Sequence, residues 1–262
     1  MSFLDNIHPE RAVTGSSKLD GTLKFYSFVK TIMCELQAQR VMDFGAGRGA
    51  PLLRETRRWR KDLLDLRQHG AEVYACDIDP AVKSHQWSDH QVVLDARSIP
   101  FEDEFFDMIV SDVTFEHIRE PERVAAELVR VLRPGGFICA RTPNRYGYPK
   151  FFASLVPNKL HARVLSYVQP RGRQEADIFP TAFQMNSVRR IRNLFKGCDV
   201  HWYRESGEPA YYFGSPILYR LLLAFHKILP DALSTSLCLF IRKRDHADVS
   251  ATRAKDSLLP PL

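Results

Sequence analysis

The stretch Arg40-Val41-Met42-Asp43-Phe44-Gly45-Ala46-Gly47-Arg48-Gly49-Ala50 decides the fold. Val41, Met42 and Phe44 suit a short buried strand. Gly45, Gly47 and Gly49 then let the chain turn tightly, with no side chain between backbone and ligand. A glycine-rich turn after a first strand fits several nucleotide-like ligands, and read literally it also satisfies the G-x-G-x-x-A form of the dinucleotide fingerprint. Asp43 separates these readings. A carboxylate just before the loop accepts hydrogen bonds from the turn's amides and favours a cationic ligand, whereas a pyrophosphate beside it is repelled.

Moving outward, Glu72 to Cys76 makes a second strand that delivers Asp77-Ile78-Asp79-Pro80 at its carboxyl end. A carboxylate there can accept from two vicinal ribose hydroxyls; taken alone, it is more often a turn or helix cap. Gly49 and Asp77 are further apart than the ~20 residues expected, which implies an insertion around Pro51 to Lys61. A third strand, Gln91 to Leu94, ends at Asp95-Ala96. Phe105 to Asp112 gives a fourth strand at the sheet's centre, where strand order reverses and ligands usually lie. Val113 to Ile118 follows as a loop. Pro121 to Leu132 is a helix with Val124, Leu128, Val131 and Leu132 on one side, stopped by Pro134-Gly135-Gly136. Phe137 to Ala140 is the fifth strand, followed by Arg141-Thr142-Pro143-Asn144.

In this order, Val41 to Gly49, Asp77-Ile78, Asp95-Ala96 and the series Glu127, Arg130, Val131, Leu132, Arg133, Pro134, Gly135, Gly136, Thr142, Pro143 and Asn144 resemble the class I S-adenosylmethionine-dependent methyltransferases. The likeness is to their small-molecule, type 11-like branch, and it covers Arg40 to about Asn144. It implies an α/β fold: a Rossmann-like seven-stranded sheet, mostly parallel with an antiparallel last strand, helices on both faces, and helical insertions after strands five and six. It implies S-adenosylmethionine as cofactor, whose sulfonium and ammonium agree with the charge argument on Asp43. The cofactor set becomes Asp43, Gly45, Ala46, Gly47, Gly49, Asp77, Ile78, Asp95, Ala96 and Ser111. Asp77 takes the ribose, Ile78 lies against the adenine, and Asp95 with Ala96 reads the adenine edge.

The remaining segments fit around that core. Apolar positions between Thr22 and Gln37 recur at helical spacing, and Pro51 to His69 reads as one helix with an arginine-rich early half, closed by Gly70. Beyond Asn144 the pattern predicts two short helices, Pro149 to Leu155 and Asn158 to Val168, then a loop from Gln169 to Pro180. A helix capped by Asn186 runs through Lys196, a sixth strand spans Asp199 to Arg204, and a helical run covers Ile217 to Leu229. Leu237 to Ile241 forms the seventh strand. The expected organisation is a tail or cap over 1–20, a single domain over 21–244 with insertions at about 145–184 and 205–233, and a disordered tail over 245–262.

The chain has 262 residues, 45% of them hydrophobic, enough for one well-buried domain with insertions. Cys34, Cys76, Cys139, Cys198 and Cys238 are widely spaced with no Cys-x-x-Cys pair, which argues against zinc and a disulfide framework and suits a cytoplasmic protein. No metal is expected. Neither a signal peptide nor an apolar run of the ~18 residues that a bilayer crossing needs is evident. The net charge of +6 allows an anionic partner, but the arginines are dispersed, so a basic solvated surface explains it as well.

Methyl transfer from a sulfonium needs placement of the nucleophile, exclusion of water and, for some acceptors, a base. His117 is the best general-base candidate, since imidazole titrates near neutral pH and this loop should border the methyl group. A structural histidine bound to loop backbone is the competing reading. Glu116 is a weaker candidate. The Asn/Asp-Pro-Pro-Tyr/Phe segment of nucleic-acid amino-methylating enzymes is replaced here by Ser111-Asp112-Val113-Thr114, which makes nucleic acid an unlikely acceptor. The expected acceptor is a small or amphiphilic molecule, glycan- or lipid-linked in one version. Ile217, Leu221, Ala224, Phe225 and Ile228 could seat on a membrane or line a greasy pocket, although packing into the core is the simpler expectation. A nucleic-acid methyltransferase, a non-catalytic S-adenosylmethionine-binding module and a nicotinamide dehydrogenase stay open as alternatives.

Overall fold

Strand β4, Phe106–Asp112, is the central element of the computed structural model, which describes residues 3–95, 98–148, 181–209 and 212–245. Side chains alternate between faces along a strand, and β4 is apolar on both. Phe106 and Ile109 enter one core cluster, Met108 and Val110 the other. A strand buried on both faces needs helices on both.

On one side lie α3 (Gly21–Leu36), α4 (Ala50–Arg54) and α5 (Arg58–Leu64), which bring Phe25, Val29, Met33, Leu52 and Leu64. On the other lie α6 (Pro121–Val131) and α7 (Val188–Leu194), which bring Ala125, Leu128 and Ile191. Asp20 starts α3 by accepting the amides of Thr22 and Leu23, and α6 opens with Pro121, whose fixed φ suits a first helical turn.

The strands β1 (Arg40–Phe44), β2 (Glu72–Asp77), β3 (His90–Val93), β4, β5 (Leu132–Pro143), β6 (Cys198–Glu205) and β7 (Ser236–Lys243) form one seven-stranded sheet in the order β3-β2-β1-β4-β5-β7-β6. Pairing is parallel from β3 to β5, and β7 runs antiparallel to both β5 and β6. This is the expected Rossmann-like sheet. Chain order reverses between β1 and β4, which opens a crevice at their carboxyl ends.

Several local expectations are corrected. Pro51 to His69 is not one helix: Glu55 leaves α4 with ψ 130°, and its carboxylate takes the amides of Thr56 and Arg57 at 2.9 Å, replacing helical acceptors. After α5, a short 3-10 turn over Leu66–His69 ends at Gly70. Arg60 of this segment reaches Ser16 and Glu55 at 2.8 and 2.9 Å and also binds Asp20. Ser187, not Asn186, caps α7. Asn186 instead donates to Thr142 and to the Pro143 carbonyl. The fifth strand starts at Leu132, with a register shift between Phe106 and Met108 that takes up Pro134-Gly135-Gly136.

The first residues hold α1 (Phe3–Ile7) and α2 (Glu10–Thr14), and Phe3 and His8 contact Tyr219 of α8 (Pro216–Ile228). Phe3 and His8 meet the Tyr219 ring edge-on at 5.9 Å, and Arg11 forms a two-point ion pair with Glu208. Helix α8 does not pack into the core as expected: Tyr219 is its one buried residue. The short helices expected between 149 and 168, the loop carrying Arg171, Arg173, Gln174 and Asp177, Tyr211, Ala96 and the tail from His246 lie outside the described residues.

Candidate functional site

Three acids converge where β1, β2 and β4 end. Asp43 sits in β1 opposite Ala75 and Val110, with Asp77 ending β2 and Asp112 ending β4. Asp43 keeps 25% of its side chain open, yet desolvation and the neighbouring carboxylates of Asp112 and Asp77 push its pKa up to about 7. A carboxylate held in that state binds a cation strongly, because the cation removes the repulsion that disfavours ionisation. Behind it, His85 is buried with Nε2 at 4.0 Å from Asp43. The amide of Trp87 donates to His85 Nδ1 at 3.3 Å, which leaves the proton on Nε2, facing the acid. Burial lowers the His85 pKa and keeps the ring neutral.

The loop after β1 is stitched to β2. The amides of Gly45 and Ala46 both donate to the Cys76 carbonyl, at 2.8 and 3.3 Å, and the Gly47 amide donates to Asp77 Oδ2 at 2.8 Å. Asp77 Oδ1 accepts the Asp79 amide at 2.9 Å. Gly45, Gly47 and Gly49 all have positive φ, 79°, 51° and 74°. A side chain at Gly45 would run into Thr114, while one at Gly47 would have Asp77 Oδ2 at 3.9 Å as its nearest neighbour. The Gly47 face of the loop is therefore an open cradle beside the Asp77 carboxylate.

Ile78 is 64% exposed next to that carboxylate, an apolar surface suited to a flat ring. Asp95 is exposed just beyond β3, and the Leu94 amide ties its neighbourhood to the Asp77 carbonyl at 2.7 Å. Ala96, expected beside it, lies outside the described residues. Ser111 is fully buried in β4, and its hydroxyl has no partner among the described residues. The structure thus brings Asp43, Gly45, Ala46, Gly47, Gly49, Asp77, Ile78 and Asp95 to one edge. The acid trio, the cradle and the unpartnered Ser111 hydroxyl fit a ligand that carries a cation, a sugar diol and a ring.

His117 and Glu116 occupy a short 3-10 turn after β4, with His117 Nε2 at 3.9 Å from Glu116 Oε1. The His117 side chain is 27% exposed and Glu116 only 3%. Glu116 Oε2 accepts from the Thr142 hydroxyl at 3.0 Å, and that hydroxyl accepts from Asn186 at 2.7 Å. The Glu116 carbonyl also takes the amides of Ala182 and Phe183. Burial raises the Glu116 pKa. Its carboxyl is committed to holding the chain after position 180 against β5.

Sequence reasoning missed the opposite wall. Arg141 grips Asp112 with Nε and Nη2 at 2.7 and 2.8 Å and donates from Nη1 to Thr22 at 2.9 Å. Tyr26 hydrogen bonds Asp112, and burial together with Asp112 and Asp43 pushes its phenol pKa well up. A cavity of about 370 Å³ opens beside this cluster, lined among others by Thr22, Val113, Arg141, Tyr148, Glu205 and Glu208. Val113 has φ 59°, a left-handed conformation that costs a β-branched residue energy. An arginine at the end of β5 paired in register with an acid at the end of β4 was a readable signal, since parallel neighbours bring those ends together.

Comparison with known proteins agrees with this geometry. Residues 42–140 match the family model described as a methyltransferase domain. Over those residues the chain carries the pattern of a class I S-adenosylmethionine-dependent methyltransferase domain. The chain is 28% identical over 138 residues to a malonyl-[acyl-carrier protein] O-methyltransferase of Salmonella typhimurium, covering 50% of this chain and 51% of that protein. It is 27% identical over 194 residues to a phthiotriol/phenolphthiotriol dimycocerosates methyltransferase of Mycobacterium leprae, covering 67% and 68%. A phosphatidylethanolamine N-methyltransferase of Cereibacter sphaeroides is 31% identical over 102 residues, covering 37% and 47%. The alignment thus spans about half the length of the first of these relatives. Among solved structures, a candidate sarcosine dimethylglycine methyltransferase from Galdieria sulphuraria superposes with TM-score 0.53 at 19% identity, over 86% of each chain. At that identity the superposition speaks for the fold alone.

Proposed function

We propose that the protein transfers the methyl group of S-adenosylmethionine to a small or amphiphilic acceptor. The observation that carries this reading is the pairing of an acid trio, one member with its pKa near 7, with a glycine cradle locked to Asp77. Asp43, with the Asp77 carboxylate beside it, holds the cationic end of the donor, while the charge of Asp112 is balanced by Arg141. Asp77 has one oxygen on the Gly47 amide and one on the Asp79 amide, and its remaining lone pairs accept the two ribose hydroxyls. Ile78 offers its exposed face to the adenine, and Asp95 accepts from the exocyclic amine. When bound, the donor supplies an already activated methyl carbon for in-line displacement. The chain's own work is then to align the acceptor atom at ~3–3.5 Å and to keep water out.

The cavity beside Arg141 and Val113 is the acceptor compartment in this reading. The names of the relatives, which refer to an acyl carrier, a dimycocerosate and phosphatidylethanolamine, support an acyl- or lipid-bearing acceptor. Partly exposed His117 is assigned the general base for acceptors that must lose a proton, and Glu116 the role of a structural latch. We also assign residues 21–244 to one domain interrupted at about 145–184 and 205–233, with 1–20 as its cap. A reducing cytoplasm is the proposed compartment, which suits five cysteines that form no disulfide. No helix among the described residues is long and apolar enough to cross a membrane.

Isothermal titration of the full chain with S-adenosylmethionine and S-adenosylhomocysteine tests the donor site, and methyl transfer into a lipid extract tests the acceptor class. Binding of both ligands with extractable methylated lipid is expected. A folded sample that takes up neither ligand refutes the donor site; ligand binding with label only in water-soluble products refutes the lipid-bearing acceptor.

A further inference from the structure

Helix α8 is finished on its inner side. Tyr219 is fully buried, its hydroxyl 2.8 Å from His8 Nε2 and its ring edge-on to Phe3 and Tyr212. Two turns on, His226 shares a 2.6 Å hydrogen bond with the Tyr148 hydroxyl, and Phe225 packs edge-on against the same ring. These contacts fix the helix to the body of the protein, and among the described residues its outer face is left uncovered.

That outer face is apolar. Ile217, Leu221 and Ile228 are 71%, 62% and 80% exposed. With Ala224 they follow spacings of four, three and four residues, which at ~3.6 residues per turn form one narrow stripe along the helix. Phe213, 62% exposed, stands just before the first turn. A contiguous exposed apolar stripe on a folded surface marks an interaction site. Among the described residues nothing packs against it, and the helix has its packing seam on the opposite side.

The charge beside the stripe chooses the occupant. Arg220 and Lys227 are exposed, lie seven residues apart, and project to the same side of the stripe. The helix sequence Pro-Ile-Leu-Tyr-Arg-Leu-Leu-Leu-Ala-Phe-His-Lys-Ile contains no acid. The acids just outside it are engaged, Asp231 with Arg204 and Glu208 with Arg11. A second copy of the chain laid on this face would bring four cations together around an apolar seam. An anionic lipid surface accepts both features at once, the stripe at the acyl boundary and the cations among the headgroups.

We propose that α8 is a docking helix for an anionic lipid bilayer, with Ile217, Leu221 and Ile228 inserted and Arg220 and Lys227 on headgroup phosphates. Because Tyr148 lines the cavity and is bonded to His226 of the same helix, docking places that cavity close to the membrane surface. The surface stands whether or not the reaction assigned above is correct.

The test is sedimentation of the full chain with vesicles of phosphatidylcholine alone or with phosphatidylglycerol added. Partitioning into the mixed vesicles is expected to exceed that into phosphatidylcholine by about tenfold or more and to fall with added salt. Leu221→Glu combined with Ile228→Glu should reduce it by a similar factor at unchanged melting temperature, and Arg220→Glu with Lys227→Glu should abolish the preference for phosphatidylglycerol. The proposal is overturned if the wild-type chain stays in the supernatant with both vesicles, or if the apolar double variant still sediments. It is equally overturned if that variant melts several degrees lower, which would show the stripe packed against the chain itself, or if it dissociates a dimer seen by light scattering.

Discussion

The carboxylate of Asp77 accepts the amide of Gly47 at 2.8 Å, so the acid that ends β2 and the loop that follows β1 act as one unit. Removing the acid therefore has two effects. Asp77→Ala loses the ribose acceptor and also frees the loop, and should weaken S-adenosylmethionine binding by about 100-fold or more, since charged hydrogen bonds contribute roughly 1.5–3 kcal/mol each. Asp77→Asn keeps one carbonyl oxygen for Gly47 and should lose less. Titration calorimetry on both variants separates the two contributions, and equal losses would show that the loop contact is irrelevant.

Asp43 predicts a pH dependence. With its pKa near 7, the group is protonated at lower pH and must release that proton when a cation binds. Affinity for S-adenosylmethionine should fall as pH drops below about 7, by up to tenfold per unit, and level off above it. The apo protein behaves in the opposite sense. Between about pH 4 and 7 the folded chain retains a proton that the unfolded chain has released, so this group's contribution to stability declines across that window and is flat above it. Asp43→Asn should remove both slopes and raise the apo melting temperature at pH 8 while weakening the ligand. A pH-independent affinity in the wild type would falsify the assignment.

Glu116 is expected to matter for folding more than for chemistry. Glu116→Ala leaves the Thr142 hydroxyl without its acceptor inside the protein and should cost about 1–3 kcal/mol in urea unfolding. Glu116→Gln retains a carbonyl acceptor, and its turnover should stay within about threefold of wild type. A turnover loss of two orders of magnitude in Glu116→Gln, with normal stability, would return Glu116 to the list of bases.

His117 is the contrasting case. His117→Asn should leave donor affinity unchanged and lower kcat by about 100-fold for an acceptor that must be deprotonated. For an acceptor that is already a good nucleophile the same variant should be near neutral, so the pair of acceptors reads out the role directly.

Val113 holds a left-handed backbone at the rim of the cavity, where its amide donates to the Arg141 carbonyl at 2.8 Å. Glycine adopts that conformation without steric penalty, at the cost of extra freedom in the unfolded chain. Val113→Gly should therefore stabilise the protein by about 1 kcal/mol while raising the acceptor KM through loss of the side chain from the cavity wall. Thermal unfolding and initial rates check the two halves; a destabilised glycine variant would mean that the side chain's packing outweighs the strain.

The sequence by itself determined the central sheet and which acids and glycines meet at its carboxyl edge. Glycines at 45, 47 and 49 between an apolar strand and a helix leave few backbone solutions, and the near-continuous apolar runs of β1 and β4 mark those strands as buried on both faces. Acids at the ends of three strands must then meet at one edge, because parallel strands in register bring their ends together. Other features were decided only by the tertiary structure. Whether α8 turns its apolar residues inward depends on what covers it, and periodicity is identical for a core helix and an exposed one. Whether Glu116 is a base or a latch depends on Thr142 and Asn186, which are 26 and 70 positions away in sequence, arriving beside it. The Asp43 pKa and the Arg141 clamp arise likewise from charges that only the folded sheet brings within reach, since electrostatic interaction depends on distance and burial and not on order along the chain.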